Sequence, residues 1–179
     1  MALLEPILEK LDSAQHNLLR AADAIPADVW KTPPRGGVWS AAEIMAHVMS
    51  IERTVIGAAE RIFKKQPRQT PLLKRFRLPF ALAEIRVIRM KTPIPIDPKL
   101  LREKEIMFAE LREVRGRTLA LIEETRNRDL GVYRWRHPFL GSLNGYEWFL
   151  FLASHEIRHE KQMREIATNL PKTIQNSQK

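Results

Sequence analysis

The stretch that decides the fold is residues 144–170, NGYEWFLFLASHEIRHEKQMREIATNL. Asn144 with Glu147 three residues on marks a helix start, because the asparagine oxygen can accept from an otherwise orphaned amide of the first turn. Trp148, Leu152, Met163, Ile166 and Leu170 recur at helical spacing. At about 100° per residue, His155 and His159 fall on that same stripe. A stripe of this kind faces the interior of a bundle. Two polar rings on it need a partner, since unsatisfied polar groups are costly to bury.

Working outward, the chain offers three more long helices. The first runs from about Leu3 to Ala24, with Leu4, Ile7, Leu8, Leu11, Leu18, Leu19 and Ala22 on one face. Prolines and the Gly36-Gly37 pair then mark a loop over residues 25–38. Ser40-Ala41-Ala42-Glu43 is a capping box, and the second helix continues to about Lys65 through Ile44, Val48, Ile51, Val55 and Ile62. Another helix spans about Lys99 to Thr125. The segment GVYRWRHPFLGSL, residues 131–143, reads as a loop, with no strand pattern anywhere. The expected architecture is all-α: a four-helix bundle with one long crossover carrying an extra basic helical segment. Residues 1–170 read as a single domain, and the polar tail 171–179 as disordered.

Composition narrows the chemistry. A chain of 179 residues with 44% hydrophobic and 28% charged residues has globular values. It has no cysteine, which excludes disulfides, thiolate ligands and a cysteine nucleophile, so metal sites would need N and O donors. The first residues lack a basic, apolar and small-residue succession, so no secretory signal is expected. No uncharged run approaches the roughly 18 residues of a membrane span. The cytoplasm is the default compartment.

The formal net charge is +9. It is concentrated between Lys64 and Lys91, where nine basic residues stand against the single acid Glu84. A shorter helix is expected over 72–90, bent at Pro79. Its mixture of Lys and Arg with Leu72, Phe76, Phe80 and Ile88 suits either a solvated lid or dimer element, or a surface for nucleic acid or an anionic membrane.

His155 and His159, spaced i, i+4, present both imidazoles to one point. His47, near the inner face of the second helix, is the candidate third ligand. Glu43, one turn earlier, is the expected hydrogen-bond partner of its other ring nitrogen. Three imidazoles would suit zinc, nickel, iron or manganese. His16 points away from the stripe of the first helix and reads as a surface residue. His137 has two readings, as a residue contacting a cofactor at the mouth of the site or as an ordinary loop histidine. Glu156 and Glu160 are candidate proton carriers, Glu156 also as the general base of a literal HExxH metallopeptidase motif. Both acids are rotated off the ligand face.

The pattern Trp39-Ser40-Ala41-Ala42-Glu43-Ile44-Met45-Ala46-His47, then His137-Pro138-Phe139-Leu140-Gly141, Trp148, and His155-Glu156-Ile157-Arg158-His159 resembles the DinB-like (DinB/YfiT) superfamily. The resemblance implies a four-helix bundle with a divalent metal, often zinc or nickel, bound by three histidines, here His47, His155 and His159. It implies chemistry of two kinds known in the superfamily: transferases using a low-molecular-weight thiol cosubstrate such as bacillithiol, and a mycothiol-dependent maleylpyruvate isomerase. A homodimer is expected from the resemblance alone. The basic insert is longer than the family leads one to expect. The leading expectation is a metal-dependent thiol (S-)transferase or hydrolase acting on a small molecule. Its rival is a non-catalytic protein binding an anionic partner through 64–91.

Overall fold

A computed structural model describes residues 4–34, 37–66, 77–79, 84 and 97–170. Four long helices are present: α1 (Glu5–Asp23), α2 (Ala41–Phe63), α3 (Lys104–Glu124) and α4 (Gly145–Thr168). Helix α1 lies along α4, and α2 packs against both α3 and α4. The result is the expected four-helix bundle. Most of the expected basic helix over 72–90, and the tail 171–179, fall outside the described residues.

Two helix starts follow directly from local sequence. Ser40 Oγ accepts from Glu43 N at 3.2 Å while Glu43 Oε2 accepts from Ser40 N at 2.7 Å. Asn144 and Glu147 repeat the arrangement, with Oδ1 accepting at 2.9 Å and Oε2 at 2.7 Å. Each box satisfies two amides that a helix end leaves open, which fixes where α2 and α4 begin.

One sequence expectation is corrected. The segment before α4 is a two-stranded antiparallel hairpin, β1 (Arg134–His137) with β2 (Gly141–Asn144), rather than a loop. Each strand has only four residues, and the charged Arg134 and Arg136 dilute the apolar alternation by which strands are recognised. Its turn places Gly141 at φ +88°, a conformation glycine adopts without steric cost. At the start of α4, Gly145 sits where an added Cβ would come within 2.9 Å of Leu130 Cβ. The hairpin and α4 therefore dock closely on the turn around Leu130.

Two described fragments of the basic crossover are fastened to this frame. Leu78 N donates to Leu140 O at 3.0 Å, and Arg77 Nε donates to Glu147 Oε1 at 2.6 Å. Farther along, Glu84 Oε1 accepts from Lys10 Nζ and from Ser154 Oγ, both at 2.8 Å. Burial works to raise the Glu84 pKa, but the Lys10 and Ser154 hydrogen bonds outweigh it and hold the carboxylate below its usual range. The single acid of the basic segment is thus an anchor on the α1–α4 seam.

The core divides into two apolar groups. One contains Ile7, Leu11, Val55, Phe63, Ile122, Phe149 and Leu152. The other contains Leu18, Trp30, Met45, Met49, Met107, Leu111, Met163 and Ile166. Near where the two groups meet lie buried polar residues, Glu52 on α2, Arg115 and Thr118 on α3, and Ser154, Glu156 and His159 on α4.

Candidate metal centre

Helix α2 brings His47 and helix α4 brings His155 and His159 to one point. His155 Nε2 lies 3.2 Å from His47 Nε2 and 3.2 Å from His159 Nε2. Among the described residues, these are the ones whose ligand atoms meet as a metal-capable group, all within 4.8 Å of one another. Two nitrogens each about 2.0–2.1 Å from a tetrahedral zinc ion would be separated by roughly 3.3–3.4 Å. The observed spacing fits that edge length.

Protonation also suits a cation. His159 Nδ1 donates to Gln162 Oε1 at 2.9 Å, so the neutral ring turns a lone pair, not a proton, toward the centre from Nε2. Burial pushes the His47 pKa down to about 4. Burial, then the neighbouring rings of His159 and His47, holds His155 well below its ordinary value. At neutral pH the His47 and His155 rings are uncharged, the state in which imidazole ligates metal. The three Nε2 atoms crowd one point, and a divalent ion bound there would take a lone pair from each. The residues present fit such an ion.

Around the rings is an aromatic wall. Trp39 lies 5.0 Å from His47 and stacks against His159 at 6.5 Å. Phe151 lies 5.5 Å from His155 and 4.4 Å from His137. His137 is therefore in the wall next to the centre, outside the convergent trio, with its Nδ1 accepting from Phe139 N and Leu140 N. His16 is exposed, as its position on α1 predicts.

The carboxylates are placed differently from expectation. Glu43 does not reach His47, because its Oε2 is held by the Ser40 amide and hydroxyl in the capping box. Gln162, one turn beyond His159, plays the supporting part instead. Its signal was the i, i+3 spacing from His159, which brings the two side chains together. Glu160 pairs with Arg164 on the helix surface. Glu156, a candidate proton carrier and the general base of a literal HExxH motif, is 1% exposed and lies in the core. Its Oε2 is 2.9 Å from Arg115 Nη2.

Arg115 is the hub of that cluster. Its Nε donates to Glu52 Oε1 at 2.8 Å and its Nη1 to Leu11 O at 2.7 Å, while Thr118 Oγ1 donates to Glu52 Oε1 at 2.5 Å. Burial alone would lower the guanidinium pKa, but the charges of Glu156 and Glu52 raise it. Burial, reinforced by the Glu52 charge and opposed by Arg115, raises the Glu156 pKa. An HExxH peptidase needs this carboxylate free beside the metal, and here it is committed to an arginine.

A four-helix bundle whose middle converges three imidazoles from two helices defines a class of metal-associated helical proteins. The chain belongs to the DinB superfamily, whose family model matches residues 10–163. The uncharacterized protein YuaE of Bacillus subtilis (strain 168) is 28% identical over 134 residues, 74% of this chain and 80% of the relative. A solved structure, TT2238, described as a four-helix bundle protein, has the same fold with a TM-score of 0.56 and 21% identity. The match covers 90% of this chain and 98% of that one. Among the described residues no helix is long and apolar enough to cross a membrane.

Proposed function

We propose that this chain is a metal-dependent enzyme whose His47, His155 and His159 hold a divalent ion, with zinc or nickel the leading candidates, and that it performs thiol transfer or hydrolysis on a small molecule. The observation that carries the reading is the convergence of the three Nε2 atoms at 3.2 Å steps about His155. Such an ion would supply a Lewis acid that makes a water or a thiol nucleophilic at neutral pH.

The chain's own contribution is arrangement. His155 and His159 come from one turn of a helix whose start is fixed by Asn144, and His47 comes from a helix whose start is fixed by Ser40. Gln162 sets the proton of His159 on Nδ1. Trp39 and Phe151 flank the rings, Trp39 beside His47 and Phe151 beside His155. With no cysteine in the chain, a thiol nucleophile has to arrive as a cosubstrate.

The test has two parts. Untagged protein is purified, its metal content is measured beside His47→Ala and His159→Ala, and the loaded and chelated forms are assayed. One assay offers low-molecular-weight thiols with electrophilic acceptors, and the other offers hydrolysable esters and amides. Turnover that needs both the metal and a thiol supports transfer, and turnover without thiol supports hydrolysis. Peptide cleavage lost in Glu156→Gln would instead favour the peptidase reading.

A further inference from the structure

His137 is built into the hairpin turn in a way that decides where its proton sits. Nδ1 accepts from the backbone N–H of Phe139 at 3.1 Å and of Leu140 at 3.0 Å. A nitrogen that accepts two hydrogen bonds carries no proton, so the hydrogen of the neutral ring is on Nε2. Burial pushes the pKa of the ring down to about 4, so this tautomer is the form present at neutral pH. Among the described residues nothing accepts from Nε2. The arrangement is the reverse of His159, whose Nδ1 donates to Gln162 and whose Nε2 carries the lone pair.

The location gives this donor a use. The His137 ring is 4.4 Å from Phe151, which also neighbours His155, and 5.2 Å from Trp148. Trp148 Nε1 in the same wall is a buried N–H donor with no acceptor. The wall beside the three-histidine centre therefore presents two N–H donors for which the described protein offers no acceptor, that of Trp148 fully buried and that of His137 within reach of solvent or a ligand. A buried donor such as that of Trp148 is rarely left in this state unless water or a ligand completes it.

We infer that His137 is a substrate-positioning residue, its Nε2–H donating to an oxygen acceptor, a carboxylate or carbonyl, of the small molecule that reacts at the His47–His155–His159 centre. The inference rests on the metal reading of that centre. It narrows the substrate class to molecules carrying an oxygen acceptor close to the reacting atom. His137 acts here as a fixed donor, held in one tautomer by the turn it closes.

The experiment uses the full chain loaded with zinc, labelled with 15N-histidine and titrated with acetate as the probe. The wild-type protein should show His137 protonated at Nε2, with that resonance shifting as acetate saturates. In His137→Asn the amide oxygen can still accept from the turn amides, but the Nε2 donor is gone. Zinc content and melting temperature should hold while acetate affinity falls about tenfold, equivalent to about 1.4 kcal/mol. In His137→Gln a donor returns near the Nε2 position while the turn loses its acceptor, so affinity should recover at the expense of melting temperature.

A purely structural turn histidine predicts the opposite order, with Asn indistinguishable from wild type in acetate binding. That result, or a wild-type Nε2–H that does not move with acetate, overturns the inference while leaving the metal site intact. Should His137→Asn fail to fold, the wild-type titration alone decides. Failure of the wild-type protein to retain zinc would remove the metal reading and this inference together.

Discussion

His155 and Glu156 are consecutive on α4, yet they belong to two buried polar clusters with opposite logic. His155 sits among uncharged rings whose nitrogens crowd one point, with nothing from the chain between them. Glu156 sits among charged groups of the chain itself, with Arg115 donating to Glu52 and to the Leu11 carbonyl and pairing with Glu156 at 2.9 Å. A step of about 100° around the helix separates a cluster that invites a ligand from one that is largely closed. The difference teaches how to tell a site from a scaffold when both are buried and polar. Ion pairs within the chain mark the scaffold, and convergent ring nitrogens mark the site.

The sharpest way to break that distinction is Arg115→Ala. It leaves Glu52 and Glu156 buried beside each other without a cation, and should cost about 3–5 kcal/mol in urea denaturation. Replacing Glu52, Arg115 and Glu156 together by apolar residues of similar volume should restore most of the loss, while zinc binding by the folded protein stays near wild type. A triple variant that folds but no longer binds zinc would show that the two clusters are one device.

Next in size is the effect of the metal. Zinc at about 100-fold over its dissociation constant should raise wild-type stability by about 2.7 kcal/mol, and His155→Ala should gain nothing. Equal stabilisation of both proteins would place the ion elsewhere. Gln162→Leu frees the His159 tautomer without touching a ligand, and should weaken zinc affinity about 10–100-fold in a chelator competition. An unchanged affinity would make Gln162 a bystander.

Acidity separates the clusters in another way. His47 and His137 have folded pKa values lowered by burial to about 4, below the ordinary histidine value of 6.5. The unfolded chain therefore takes up protons first as the pH falls. Their contribution to stability is complete above pH 6.5 and is lost as the pH drops toward 4. Melting of the metal-free protein followed from pH 8 to pH 4 should show this fall, beginning near pH 6.5 where the unfolded histidines start to protonate. The smallest effect concerns scaffold alone: Ser40→Ala should cost about 1 kcal/mol through loss of the α2 cap.

What could be read from the sequence was what local chemistry decides. Both capping boxes depend on residues three apart, and the inward faces of His47, His155 and His159 follow from helical periodicity. Glu43 shows the limit, because one carboxylate had two plausible partners and the closer one, the cap, took it. The Glu52–Arg115 pair joins residues 63 apart, and nothing in either helix's own pattern announces it. The hairpin escaped notice because its strands are too short and too charged to alternate cleanly. Its role in fixing the His137 tautomer depends on a turn that only the folded chain reveals.

The most direct test is a crystal of untagged, zinc-loaded protein measured on both sides of the zinc absorption edge. The account predicts a single strong anomalous peak about 2.0–2.1 Å from the Nε2 atoms of His47, His155 and His159. A map without a peak there, with the three rings turned to separate partners, would contradict it.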